Sequence, residues 1–121
     1  MEWFRIRTSS LLMRVAVDEI VYVRADGNYC DLVLINGRSR KLTFQLHHFE
    51  DNFRLLQSAD SFIRVGRSLI VNRHYVQVID LIDQTIIFGG KFIPCDKLYN
   101  VQVSRDALKQ LKEQLENMKG E

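Results

Sequence analysis

An arginine stands where an apolar residue is due in FIRVGRSLIVNRHYV, Phe62 to Val76. Counting by two from Ile63 gives Val65, Arg67, Leu69 and Val71, a dry strand face with a guanidinium at its middle. Burying that charge without a partner would cost several kcal/mol, so a continuous strand is a poor solution. Gly66, directly before it, offers another: FIRV and LIVN become two strands, and Gly66-Arg67-Ser68 becomes a protruding joint that aims Arg67 outward. Two further places carry related chemistry, the Asn28-Tyr29 tip in ADGNYC and the Ser104-Arg105 step. Arginine matches the O6 and N7 acceptors of guanine bidentately and asparagine can pair with adenine. Serine and the first N–H groups of a helix suit phosphate oxygens. Nucleic acid is the ligand this chemistry fits, although the same tips also read as ordinary polar loops.

Other chemistries find less support. Arg64, Arg67, Arg73 and His74 gather in one segment and Arg38, Arg40 and Lys41 in another, and each cluster alone also reads as a solvated strand face. Arg64, Arg73 and Lys109 are candidate phosphate contacts. The formal net charge of +2 is too small for bulk charge to argue for nucleic acid. His47-His48 are adjacent, so they point to different helix faces, and no Cys-x-x-Cys or His-x-x-x-His spacing accompanies them; no metal is expected. There is no glycine-rich phosphate loop, no nucleophile elbow and no converging carboxylate pair, so neither an enzyme nor a cofactor is expected.

The elements that must position these residues are mostly strands. Period-two patterning with β-branched and aromatic residues predicts strands over Trp3 to Arg7, Leu11 to Val17, Ile20 to Arg24, Tyr29 to Ile35 and Arg38 to Phe44. It continues over Phe62 to Val65, Leu69 to Asn72, Val76 to Ile82, Thr85 to Phe88 and Lys91 to Val103. Asn36-Gly37, Gly89-Gly90 and Asp26-Gly27-Asn28 supply residues that tolerate positive φ, which predicts antiparallel hairpins. Pro94 would delete a ladder hydrogen bond, placing its segment at an edge or a bulge. Leu46, Phe49, Phe53 and Leu56 recur at helical steps after Thr43, a candidate N-cap. Ser104 can cap a second helix through Leu108, Leu111, Leu115 and Met118, of which only the first turns need dock while the end frays.

With 121 residues, 46% of them apolar, the chain can close one core, so a single domain over residues 1–121 is expected. No apolar run approaches a membrane span and the N-terminus lacks a signal-peptide pattern, which points to the cytoplasm. Cys30 and Cys95 are then most simply two reduced, buried thiols.

FIRVGRSLIVNRHYV resembles the signature of LytTR-type DNA-binding domains, roughly F-x-R-h-H-R-S-h-h-V-N with h apolar. DEIVYVRADGNYCDLVLING, Asp18 to Gly37, is similar to the D-I-h-Y-h-E-A-x-G-N-Y segment of that family and the strand after it. VSRDALKQLKEQL, Val103 to Leu115, is similar to its closing V-S-R segment and helix. The resemblance runs over about 18 to 115. It implies a mainly β fold, about ten short antiparallel strands in stacked sheets with one lid helix and a C-terminal helix. It also implies a transcription regulator whose loops enter successive major grooves of double-stranded DNA, often on short direct repeats bound by two copies. Carried over by position, the reading elements would be Asn28-Tyr29, Gly66-Arg67-Ser68 and Ser104-Arg105.

Departures from the family pattern are specific. Gly66 stands where the family usually has histidine, which removes a polar contact and loosens the tip; Arg24 stands where it usually has glutamate, which adds a positive charge. Most members carry a phosphoacceptor receiver or a membrane sensor, and neither is expected here. The rival reading is a protein-interaction module that keeps the fold and titrates another regulator. A single-stranded or RNA-binding reading lacks the interleaved aromatic stripe it would need.

Overall fold

The computed structural model of the chain describes residues 1–118. Its strands are β1 (Trp3–Arg7), β2 (Leu12–Ala16), β3 (Ile20–Asp26), β4 (Tyr29–Leu34), β5 (Ser39–Leu42), β6 (Phe62–Val65), β7 (Leu69–Asn72), β8 (Val76–Asp80), β9 (Thr85–Phe88) and β10 (Asn100–Gln102). Its α-helices are α1 (Leu46–Phe53) and α2 (Arg105–Glu116). All the pairings are antiparallel, so the mainly β architecture expected from the period-two pattern is the one found.

A five-stranded sheet, in the order β5-β4-β3-β7-β6, lies at the centre. One face packs on α1 and the β1–β2 ribbon, through Val23, Leu32 and Ile70 against Phe4, Phe49 and Phe53. The other packs on the β10-β9-β8 sheet and α2, through Val21, Val65 and Val71 against Ile86, Val101 and Leu108. Burial on both faces explains why Ile20-Val21-Tyr22-Val23 shows no polar alternation. A register shift between Ile20 and Tyr22 sends Val21 and Tyr22 to one face and their neighbours to the other. The Tyr22 hydroxyl reaches the Leu98 carbonyl at 2.6 Å, and burial pushes its pKa up to about 12.

Several expectations are corrected. The long strand over Lys91 to Val103 reduces to β10; residues 89–99 form an irregular connection in which Pro94 is exposed and Asp96 caps a short turn by accepting from the Leu98 N–H at 2.7 Å. Gly89-Gly90 therefore makes no tight hairpin, and the Gly89 N–H donates instead to Tyr75 O at 2.9 Å. The reversal before β9 falls at residues 81–84, where Asp80 accepts from the N–H groups of Ile82 and Asp83 and Gln84 takes a φ of 54°. Thr43 does not cap α1; the helix starts at Leu46, its N-cap is Gln45, and no side chain accepts there. Leu56 lies beyond the helix yet still packs on the core. Cys30 is buried, but Cys95 is exposed on the irregular connection. The chain end expected to fray includes residues 119–121, which lie outside the described residues, while α2 runs intact to Glu116. Among the described residues no helix is long and apolar enough to cross a membrane.

Candidate nucleic-acid interface

The apolar stripe that Arg67 interrupts is real. Ile63, Val65, Leu69 and Val71 all face one core cluster, and the chain reverses between the paired residues Val65 and Leu69. Gly66 takes a φ of 63°, a left-handed geometry that glycine adopts without the Cβ penalty. Arg67 and Ser68 are exposed at the tip, and the Arg67 guanidinium has no partner among the described residues.

Arg64, on β6 just before the tip, is committed to it. Its Nε donates to the Gly66 carbonyl at 3.0 Å and its Nη2 to the Arg67 carbonyl at 2.9 Å. Its Nη1 donates to Glu50 of α1 at 3.0 Å. The planar guanidinium suits this, since one fork can satisfy two convergent carbonyls and a carboxylate at once.

The second tip is the β3–β4 reversal, where Asp26 pairs with Tyr29 across Gly27 and Asn28. Gly27 supplies the positive φ, 62°, that the two-residue turn requires. Lys41, opposite Asp31 on β5, bridges to Asp31 at 3.2 Å and to Asp26 at 3.4 Å, and lies 5.6 Å from the centroid of the Tyr29 ring. Bonding to Asp31 holds the Lys41 ammonium above its ordinary pKa. Tyr29 remains 44% exposed, so its ring is supported from one side and open on the other.

These tips are joined. The Ala25 N–H donates to the Ser68 carbonyl at 2.8 Å, tying the second half of one tip to the strand that leads into the other. Between them lies a concavity of about 440 Å³ lined by Asn28, Tyr29, Arg64 and Arg67 together with His47 and Gln45 from the start of α1. Its buried floor includes Cys30, whose thiol is pushed up by burial first and by Asp31 second.

Ser104 caps α2 by accepting from the Ala107 N–H at 3.4 Å, as the sequence suggests. Ala107 abuts the first tip closely enough that a Cβ on Gly66 would stand 3.3 Å from its own. Arg105 and Lys109 are exposed one turn apart on this helix. Arg73 is elsewhere: it follows β7 at the end remote from the tip, with Nε bonded to the Asp60 carbonyl at 3.1 Å and only 17% of its side chain exposed.

From the sequence, Lys41 stands out only as one member of a basic cluster and His47 only as half of a His-His pair unsuited to metal, while Glu50 and Gln45 carry no signal. The Asp31–Lys41 pairing has a signal, because the Asn36-Gly37 turn sets the register that places them opposite; the others depend on how α1 docks. His48 stacks on Phe44 with ring centroids 4.7 Å apart, and no cluster of His, Cys, Asp or Glu among the described residues could hold a metal.

Residues 10–116 match the family described as LytTr DNA-binding domain. The fold is similar to that of the LytTr DNA-binding domain of a methyl-accepting/DNA response regulator from Bacillus cereus, with a TM-score of 0.63, 21% identity, and coverage of 95% of this chain and 97% of that one. No curated protein matches the chain.

Proposed function

Because the chain belongs to the LytTr DNA-binding domain family, we propose that it is a sequence-specific transcription regulator that reads double-stranded DNA through the loops gathered at one end of its central sheet. The observation that carries this reading is the Arg67 guanidinium, exposed and unpartnered among the described residues on a tip whose backbone is held by Arg64 and Ala25. A fixed backbone lets a long side chain meet a base edge with less ordering cost.

Roles follow from the chemistry at each position. Arg67 reads guanine and Asn28 adenine in the major groove, and Tyr29 packs beside Asn28. Ser68, Ser104 and the first N–H groups of α2 take phosphate oxygens, with Arg105 and Lys109 beside them. Gly66 contributes the turn itself. Arg64 acts through the tip it holds, as a positioning residue. Arg73, tied to Asp60 away from both tips, has no part in this face. The whole chain acts as one reading domain, and two copies occupy short direct repeats.

The test is selection of bound duplexes from a random double-stranded library at near-physiological salt. The expected result is a short repeated motif. Arg67→Ala should then lose about 1 to 3 kcal/mol on that motif and much less on random DNA. An equal loss on both would make Arg67 a phosphate contact. The absence of enrichment by folded protein would favour the rival reading, a protein-interaction module, to which Gly66 in place of the family's usual histidine lends its support.

A further inference from the structure

The family match begins at residue 10, so β1 lies outside it. With β2 it makes a two-stranded sheet of its own. The inner face is core: Phe4, Ile6 and Val15 are buried. The outer face carries Trp3, Arg5 and Arg7 from one strand and Leu12 and Arg14 from the other, with the arginines exposed and Leu12 60% exposed. Arg5 and Arg14 are direct cross-strand partners. The Arg14 guanidinium lies 4.5 Å from the centroid of the Trp3 ring, and none of the three arginines has an ion pair among the described residues.

Like charges directly opposite each other destabilise a strand pair, and a soluble ribbon is ordinarily made with both signs interspersed. Here three cations share one face with no carboxylate paired to any of them. The arrangement becomes favourable when a polyanion supplies the counter-charge. Arginine forks match phosphate oxygens bidentately, and stacking on Trp3 orients the Arg14 fork.

We propose that the outer face of the β1–β2 ribbon is a second DNA contact, taking the phosphate backbone through Arg5, Arg7 and Arg14 apart from the reading tips. This rests on the DNA-binding reading for the identity of its ligand. A phosphate contact carries no base information, so the ribbon adds affinity and register without adding specificity.

The experiment compares the full chain with a variant carrying Arg5→Gln, Arg7→Gln and Arg14→Gln together, binding a long duplex of random sequence across a salt series. All three side chains are exposed, and removing the opposed charges should leave the urea midpoint unchanged or raised. Each lost phosphate contact lowers the slope of log K against log salt by about 0.9, so the slope should become shallower by roughly 2 to 3. The same decrease should be seen when Arg67→Ala is the background. Trp3 is the only tryptophan, and its fluorescence should change when the random duplex is added to the Arg67→Ala protein. An unchanged slope in a chain that does bind DNA overturns the proposal and leaves the reading tips standing. Failure of the parent chain to bind any duplex would overturn the DNA reading itself. A Trp3 response to anionic phospholipid vesicles without one to duplex would overturn the proposal in favour of a membrane surface.

Discussion

The Nη2 of Arg64 donates to the backbone carbonyl of Arg67 at 2.9 Å, so one arginine fixes the main chain from which the other projects. The same fork reaches the Gly66 carbonyl and Glu50, which links the tip to α1. Hydrogen bonds from a charged donor contribute about 1.5 to 3 kcal/mol each when shielded, and less at a partly exposed site. Arg64→Gln should therefore weaken binding to a selected site about tenfold, or ~1.4 kcal/mol. Its salt slope should stay that of the parent, because positioning neutralises no phosphate. A slope shallower by about 0.9 would instead make Arg64 a direct phosphate contact.

Gly66 is held at a φ of 63° with Ala107 close enough that an added Cβ would stand 3.3 Å from its Cβ. A side chain there meets both a left-handed backbone and a tight neighbour. Gly66→Ala should lower stability by about 1 to 2 kcal/mol, read as a lower urea midpoint at constant m. Gly66→His, which restores the residue usual in the family, should cost at least as much unless the tip changes its backbone geometry. A neutral result would mean that the tip readily leaves the conformation described here.

Much of this site is legible in the sequence because its signals are local. A charged residue interrupting an apolar stripe just after a glycine marks the Gly66-Arg67-Ser68 joint. A serine before helical spacing marks the α2 cap. The tie from Ala25 to Ser68 is not legible, since β3 and β7 pair across residues far apart in sequence and nothing local names the partner. Arg73 reads as a surface cation beside Asn72, and only the folded chain shows Asp60 beneath it. The stretch from Lys91 to Asp96 misleads for a different reason: Phe92 to Cys95 is a short apolar run of the kind a buried strand shows, but Phe92, Pro94 and Cys95 are exposed and β9 pairs only with Asn100–Gln102 on that side.

His74 follows β7, next to Arg73. Burial and then the Arg73 charge hold its imidazole below the ordinary value, against a smaller upward pull from Asp60, and its Nε2 lies 3.1 Å from the Ser61 hydroxyl. The unfolded chain binds the proton more readily, so this contribution is present above the unfolded value and lost as pH falls through the lower folded one. The Tm should fall on acidification from about pH 7 to pH 5, where unperturbed histidine titrates. In His74→Gln that fall should be smaller; an equal fall would place the titrating group elsewhere.

Tyr99 joins the irregular 89–99 connection to the central sheet through a single oxygen. Its hydroxyl donates to the Leu34 carbonyl at 2.5 Å and accepts from the Gly37 N–H at 2.7 Å, with the side chain buried. Tyr99→Phe keeps the ring and removes both bonds; the Leu34 carbonyl, on a buried residue, loses its donor, while the N–H of the exposed Gly37 turns to solvent. The expected cost is about 1 to 3 kcal/mol, the range for stranding buried polar groups. Because the Asn36-Gly37 turn sets the register of β5, and β5 carries Lys41 against Asp31 and Tyr29, the loss should reach the Asn28-Tyr29 tip. Hydrogen exchange should then speed at the Gly37 amide and along β5 while the Gly66-Arg67-Ser68 tip keeps its protection, because that tip depends on Arg64 and Ala25 instead. Uniform acceleration across both tips would show that they answer only to global stability.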